Sequence, residues 1–222
     1  MTRRIQAVVF DLGETLVNEN RLWSMIARYS GITDFTLFGM MGAVIERREH
    51  HRSIFSLMQI ESVDPDIIGY ELGLQDLYPD VVPALRSLHA AKYRLGVSGN
   101  QPEGAAEQTS QLGLPFEMVA SSATWGVSKP DPAFFQRMME SFDLPADAMV
   151  YVGDRLDNDI FPAIAAGMHA VFIRRGPWGH IHALWPEAEQ VPHQIRGLSE
   201  LFPILERLNA DSATSPEDRV TP

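Results

Sequence analysis

The sequence predicts an α/β protein: a doubly wound, parallel, Rossmann-like sheet of five main strands with an α-helical cap inserted after the first. Three observations carry this expectation. Short Val-rich runs alternate with helical patterns along most of the 222 residues, as they do when both faces of a parallel sheet are covered. Two of those runs deliver a carboxylate, in Ala7-Val8-Val9-Phe10-Asp11 and Met149-Val150-Tyr151-Val152-Gly153-Asp154. The stretch between Leu16 and Pro79 breaks the alternation and holds no convincing strand.

Taken in order, strands are expected over residues 6–11, 93–98, 116–121, 149–153 and 169–174. Pro79-Asp80 opens a helix with Val82, Leu85 and Leu88 at helical spacing. A second helix starts near Pro102 and stops at Gly113. A third takes Asp131 as N-cap and Pro132 at its first position, running to about Phe142. The fourth begins around Asn158 or Asp159, because Pro162 is comfortable only in a first turn, and ends at Gly167. The last helix covers 198–208. Within the non-alternating stretch, Leu22, Met25, Ile26 and Tyr29 form one helical stripe; Phe35, Phe38, Met41 and Ile45 form another. Ile54, Leu57 and Met58 continue the pattern, and a further helix is expected over 66–72, closed by Gly73. The expected division is a core domain of 1–17 and 79–209, a cap of 18–78, and a polar, disordered tail of 210–222.

A hydrophobic share of 45% and a charged share of 21% are those of an ordinary globular chain. No apolar run approaches the roughly 18 residues of a membrane span, and the N-terminus lacks the pattern of a secretory signal. There are no cysteines, which excludes disulfides and thiolate metal sites. A cytoplasmic location is expected, as a monomer or homodimer. The net charge of −11 opposes a general affinity for nucleic acid. Lysine occurs only at Lys92 and Lys129, against sixteen arginines. A compact ammonium is not interchangeable with a planar guanidinium, so a retained lysine is a candidate for function.

Ligands of parallel sheets sit outside the carboxyl ends of the strands, so Asp11 and Asp154 are expected to face one crevice. Two carboxylates brought together repel unless a cation joins them, and hard oxygen donors suit Mg²⁺. Four segments belong to that edge: Asp11-Leu12-Gly13-Glu14-Thr15, Val97-Ser98-Gly99-Asn100, Ser128-Lys129-Pro130-Asp131-Pro132, and Gly153-Asp154 through Asp159. In this order they resemble the motifs of the haloacid dehalogenase (HAD) superfamily, and the helical insert resembles its type 1 cap.

The resemblance implies a phosphohydrolase acting on a small phosphorylated substrate. It implies Asp11 as a nucleophile that forms an aspartyl-phosphate, and Mg²⁺ held by Asp11, the Gly13 carbonyl and Asp154, with Asp159 in support. It implies phosphate contacts from Ser98, the amides of Gly99 and Asn100, and Lys129, in a reaction ruled by positioning and charge neutralisation. Asp157 reads as a capping or solvated carboxylate, Arg155 as either a shield for the acidic cluster or a substrate contact. The run Glu46 to Arg52 reads as a wet helix face. The segment Arg174 to Gly179 either lines the cleft rim or lets Trp178 cover the core.

The chain departs from the family at Gly13, where most of its phosphatases carry an Asp that serves as general acid and base, a contribution of roughly 10²–10⁴ in rate. Glu14, His50 or His51 are the candidate substitutes. A phospho-ligand-binding relative without turnover is the alternative that Gly13 favours. Dehalogenation is weakened by the acidic cluster, which a metal-free attack on carbon does not need. Phosphonate hydrolysis calls for a cap lysine, and none lies between Leu16 and Pro79.

Overall fold

The computed structural model describes residues 4–63, 65–102 and 104–210. Six strands form one parallel sheet: β1 (Ala7–Phe10), β2 (Arg94–Gly99), β3 (Met118–Ser121), β4 (Met149–Gly153), β5 (His169–Ile173) and β6 (Gln194–Ile195), in the order β3-β2-β1-β4-β5-β6. The helices are α1 (Asn20–Tyr29), α2 (Asp34–Glu46), α3 (Ser53–Leu57), α4 (Val81–Ala90), α5 (Ala105–Gln111), α6 (Ser122–Trp125), α7 (Pro132–Phe142), α8 (Phe161–Ala165), α9 (Gly176–His182) and α10 (Leu201–Ala210).

The Val-rich runs are continuous because both faces of each strand are covered. In β1, Val8 and Phe10 join a core with Leu85 of α4 and Leu205 of α10, while Ala7 and Val9 join Phe134 and Met138 of α7 on the other side. Alternate side chains leave a strand on opposite faces, so a strand between two helical layers has no polar position to offer. β1 is central, with Phe10 paired to Val97 of β2 and Val152 of β4. Asp11 therefore leaves the sheet between the ends of two neighbours. The Asp131 carboxylate accepts from the Ala133 amide and Pro132 takes the first position of α7, as expected from the sequence.

Four expectations change. The helix expected over 66–72 is a run of turns, because Gly69 takes a positive φ of 65°, which a right-handed helix cannot continue. The stripe assigned to α2 is shifted. Leu37, Met41, Val44 and Ile45 are buried while Phe35 is 89% exposed. Phe and Met also occupy the outer side of α2, so hydrophobicity alone does not fix its rotation. Tyr29 and Leu57, placed in the neighbouring stripes, are exposed as well. The fourth helix begins earlier, with a wide turn over Leu156–Ile160 in which the amides of Asp159 and Ile160 both donate to the Arg155 carbonyl. Of the tail expected over 210–222, Ala210 ends α10 and the rest lies outside the described residues.

Helices α1 to α3 share an apolar cluster that includes Trp23, Ile26, Leu37, Met41 and Phe55, and Trp178 of α9 completes it from the sheet side. Trp178 thus joins the cap to the core instead of lining an open rim. Arg48 adds a second tie: its guanidinium meets the Glu187 carboxylate at 2.8 and 3.1 Å and lies 4.1 Å from the Trp185 ring centre. Exposed ion pairs contribute little, about 0–1 kcal/mol, so the aromatic seam dominates the docking.

His51 sits in that seam, edge-on to Trp23 and Trp178 at 6.2 and 5.8 Å, with a buried Nδ1 that has no partner among the described residues. Burial, followed by the charges of His50, Arg155 and Arg52, lowers its pKa to about 3. The native state therefore holds His51 neutral, whereas the unfolded chain takes up a proton below its ordinary value of about 6.5. Stability from this site is whole above about pH 6.5 and is lost as pH falls toward 3. His182, lowered to about 4 by burial, acts in the same direction. His51→Gln should lose about 1–2 kcal/mol less than the native chain between pH 7 and 4.5, read by denaturant unfolding at both pH values. Equal losses in the two proteins would refute the assignment.

Candidate active site

The turn after β1 is set by backbone hydrogen bonds from Leu16 and Val17 back to the Leu12 carbonyl, and from Glu14 to the Val17 carbonyl. It presents Asp11 upward and keeps Gly13 at the same edge. β4 ends at Gly153, and Asp154 follows, buried against the same crevice. Asp159 returns from the wide turn. Its carboxylate sits so close to Gly153 that a Cβ there would lie 2.5 Å from Oδ2, so position 153 admits no side chain without displacing Asp159. Carboxylate oxygens of Asp11, Asp154 and Asp159 come within 4.8 Å of one another. The two strand-end carboxylates and Asp159, expected in support of them, form one cluster of three.

Lys129 enters from the loop before α7. Its buried ammonium donates to Asp11 Oδ1 at 2.7 Å, to Asp159 Oδ1 at 2.5 Å and to the Tyr151 hydroxyl at 2.9 Å. Burial alone would favour loss of its proton, but the Asp11 and Asp159 charges outweigh that and hold its pKa well above the ordinary lysine value. Asn100 locks the Lys129 backbone from both sides: its amide donates to the Lys129 carbonyl and its Oδ1 accepts from the Lys129 amide, each at 2.8 Å. The Asn100 side chain is therefore spent on positioning the lysine. Tyr151 completes the brace by donating to the Ser98 carbonyl at 3.0 Å.

Two atoms in this crevice lack partners among the described residues. Ser98 Oγ and Asp154 Oδ2 are both buried and unbonded, a state that is costly unless something else satisfies them. Gly99, the last residue of β2, lies against the nucleophile candidate: a Cβ there would stand 2.6 Å from Asp11 Oδ1. Burial, then the Asp159, Asp11 and Glu14 charges, push Asp154 well above the usual carboxylate range. Asp159 is pushed up to about 6 by burial, with Lys129 opposing and Asp11 adding to the shift. Three carboxylates against one ammonium leave the ionised cluster two negative charges in excess. A divalent cation would cancel that excess and satisfy Asp154 Oδ2, so the donor set fits one.

Residues that sequence reasoning left undecided now have places. Arg155 holds Asp157 through two hydrogen bonds at 3.1 and 2.9 Å and lies 5.8 Å from the Trp178 ring centre. Asp157 is thus tied to a guanidinium outside the acidic cluster. Glu14 is engaged at both oxygens, accepting from the Glu19 amide at 2.9 Å and the Tyr78 hydroxyl at 2.5 Å. His50 accepts from the Arg52 amide through Nδ1.

Two contributors escape sequence reasoning. Tyr151 reads there only as part of an apolar strand; a hydroxyl in such a run needs a buried partner, which is the available signal. Glu19, part-buried at the N-terminal end of α1, carries no motif at all. Its carboxyl is pushed up to about 8 by burial and the Glu14 charge, with the Trp23 N–H opposing and Asp11 adding to the rise.

A profile of haloacid dehalogenase-like hydrolases matches residues 5–167. A glyceraldehyde 3-phosphate phosphatase of Methanocaldococcus jannaschii is 27% identical over 93% of this chain and 100% of its own length. Among solved structures, a HAD phosphatase from Thermococcus onnurineus has a TM-score of 0.61 at 24% identity, covering 90% of this chain and 98% of that one. A 2-haloacid dehalogenase from Pseudomonas syringae pv. Tomato DC3000 reaches 0.57 at 25% identity, over 91% and 99% of the two chains. Motifs, topology and profile agree: the chain belongs to the haloacid dehalogenase-like hydrolases.

Proposed function

We propose that this chain is a Mg²⁺-dependent phosphohydrolase that releases phosphate from a small phosphorylated metabolite by way of an aspartyl-phosphate on Asp11. The observation that carries the reading is the buried cluster of three carboxylates, Asp11, Asp154 and Asp159, set against the single ammonium of Lys129. An attack on a halogenated carbon gains nothing from such an excess of negative charge, and a carboxylate substrate would be repelled by it. A phosphoryl group, with its charge spread over three oxygens, needs cations beside it.

Asp11, Asp154 and the Gly13 carbonyl would hold the ion, with Asp159 in support. When bound, Mg²⁺ supplies charge neutralisation between the nucleophile and the phosphoryl oxygens. The chain's own residues do the rest. Asp11 attacks phosphorus as the bond to the leaving oxygen breaks. Lys129 holds Asp11 at a fixed orientation and neutralises part of the developing charge. The free Ser98 hydroxyl and the Gly99 and Asn100 amides are suited to the phosphate oxygens. The docked cap keeps bulk water from the reacting atoms. The name of the Methanocaldococcus relative makes a three-carbon aldehyde phosphate the first substrate to assay.

Phosphate release from p-nitrophenyl phosphate and glyceraldehyde 3-phosphate should require Mg²⁺ and fall by roughly 10³-fold or more in Asp11→Asn. Halide release from 2-haloacids without metal would replace this reading with dehalogenation, and tight substrate binding with no turnover would replace it with a binding protein. Mg²⁺ should also raise the melting temperature of the native chain and leave that of Asp154→Asn unmoved, a readout independent of turnover. Lys129→Met leaves two buried carboxylates uncompensated and should cost about 3–5 kcal/mol of stability by denaturant unfolding. A loss under about 1 kcal/mol would show that the bridge is not needed to hold the cluster.

A further inference from the structure

We propose that Glu19 is the general acid and base of this active site, its carboxylate standing in the space that the absent side chain at position 13 would occupy. The inference rests on the phosphohydrolase reading above and deepens it. A Cβ built on Gly13 would lie 2.3 Å from Glu19 Oε1 and 3.0 Å from its carboxyl carbon. Bond lengths of about 1.5 Å for C–C and 1.2 Å for C=O put an aspartate's own oxygens about 2.4 Å from its Cβ. Glu19 Oε1 is therefore at the distance that an aspartate oxygen carried by position 13 would have. The carboxylate is delivered from six residues further along the chain.

The surroundings hold it there. Glu19 Oε2 accepts from the Trp23 indole N–H at 3.1 Å, one turn along α1, and the Glu19 amide donates to Glu14 Oε1 at 2.9 Å. Glu14 is in turn fixed by Tyr78 and packed against Gly176, where a Cβ would lie 2.2 Å from its Oε2. Glu14 is thus a positioning residue with no oxygen to spare, and Glu19 keeps Oε1 clear of hydrogen bonds to the described residues. The next nearest side chain at the Gly13 position is Gln101, with Nε2 at 3.6 Å, and an amide cannot serve as a general acid at neutral pH. His51 is enclosed by the Trp23 and Trp178 rings in the seam between cap and core.

In the first half-reaction Asp11 bonds to phosphorus, the phosphorus–oxygen bond to the leaving alcohol breaks, and the Glu19 proton passes to that oxygen. In the second, water attacks the phosphoaspartate, its proton goes to Glu19, and phosphate leaves with Asp11 restored. Loss of Glu19 must then hurt alkyl phosphates, whose alkoxide leaves poorly, more than aryl phosphates.

The test uses Glu19→Gln, which keeps an acceptor for Trp23. Steady-state turnover of glyceraldehyde 3-phosphate should fall about 10²–10⁴-fold. With p-nitrophenyl phosphate, a burst of about one p-nitrophenol per enzyme should persist before a slow phase, because Asp11 can still be phosphorylated. In a Glu19→Ala background, adding Gly13→Asp should recover at least tenfold of the alkyl activity. Turnover within threefold of the native enzyme in Glu19→Gln, loss of the burst, or no recovery by Gly13→Asp would each overturn the assignment. Asp11→Asn that still releases phosphate would instead overturn the phosphohydrolase reading itself.

Discussion

The arrangement depends on one buried ammonium. Lys129 joins Asp11 from the end of β1 to Asp159 from the turn beyond β4, two segments that mutual repulsion would otherwise drive apart. Everything near it serves its placement. Asn100 at the end of β2 fixes its backbone, and Tyr151 inside β4 takes its third hydrogen. Glycine at 99 and 153 lets carboxylates approach the strands where any side chain would interfere. The central three strands thus each contribute a carrier, and β2 and β4 add a clearance.

A further set of contacts ties the turn after β1 to the core. Arg175 donates to the Thr15 carbonyl at 3.0 Å and to Asp80 at 2.6 Å, while Tyr78 reaches Glu14. These bonds hold the segment from Asp11 to Glu19 against the body of the sheet. That same segment runs directly into α1, so the start of the helical insert is anchored on the core. The seam of Trp23, His51 and Trp178 then packs the helices of the insert against α9.

Much of this is legible in the sequence, and the reasons are uneven. The five main strands stand out because burial on both faces leaves an uninterrupted apolar run. β6 covers two residues, Gln194–Ile195, too few for any periodicity to appear. α9 escapes because Gly176-Pro177 reads as loop, although proline is well suited to the first turn of a helix. The stripe on α2 is misphased because apolar residues surround that helix. Asp11, Ser98 and Asp154 are legible as strand-end residues, whereas Lys129 and Asp159 stand out in the sequence only through the resemblance to the family's motifs and the scarcity of lysine. The structure gathers the three aspartates and the lysine in one crevice. Glu19 is not legible in either way, because its relation to Gly13 is spatial: it depends on a turn whose closure no spacing rule describes. The empty position at 13 is the visible half of a pair.

Burial of Lys129 also gives the chain an unusual chemical simplicity. Its lone side-chain amine open to solvent is Lys92, just past α4 and before β2, at the opposite end of that strand from the crevice. Among side-chain amines an acylating reagent therefore reads Lys92 in the folded protein, and labelling at Lys129 would report that the ammonium has been released from its two carboxylates.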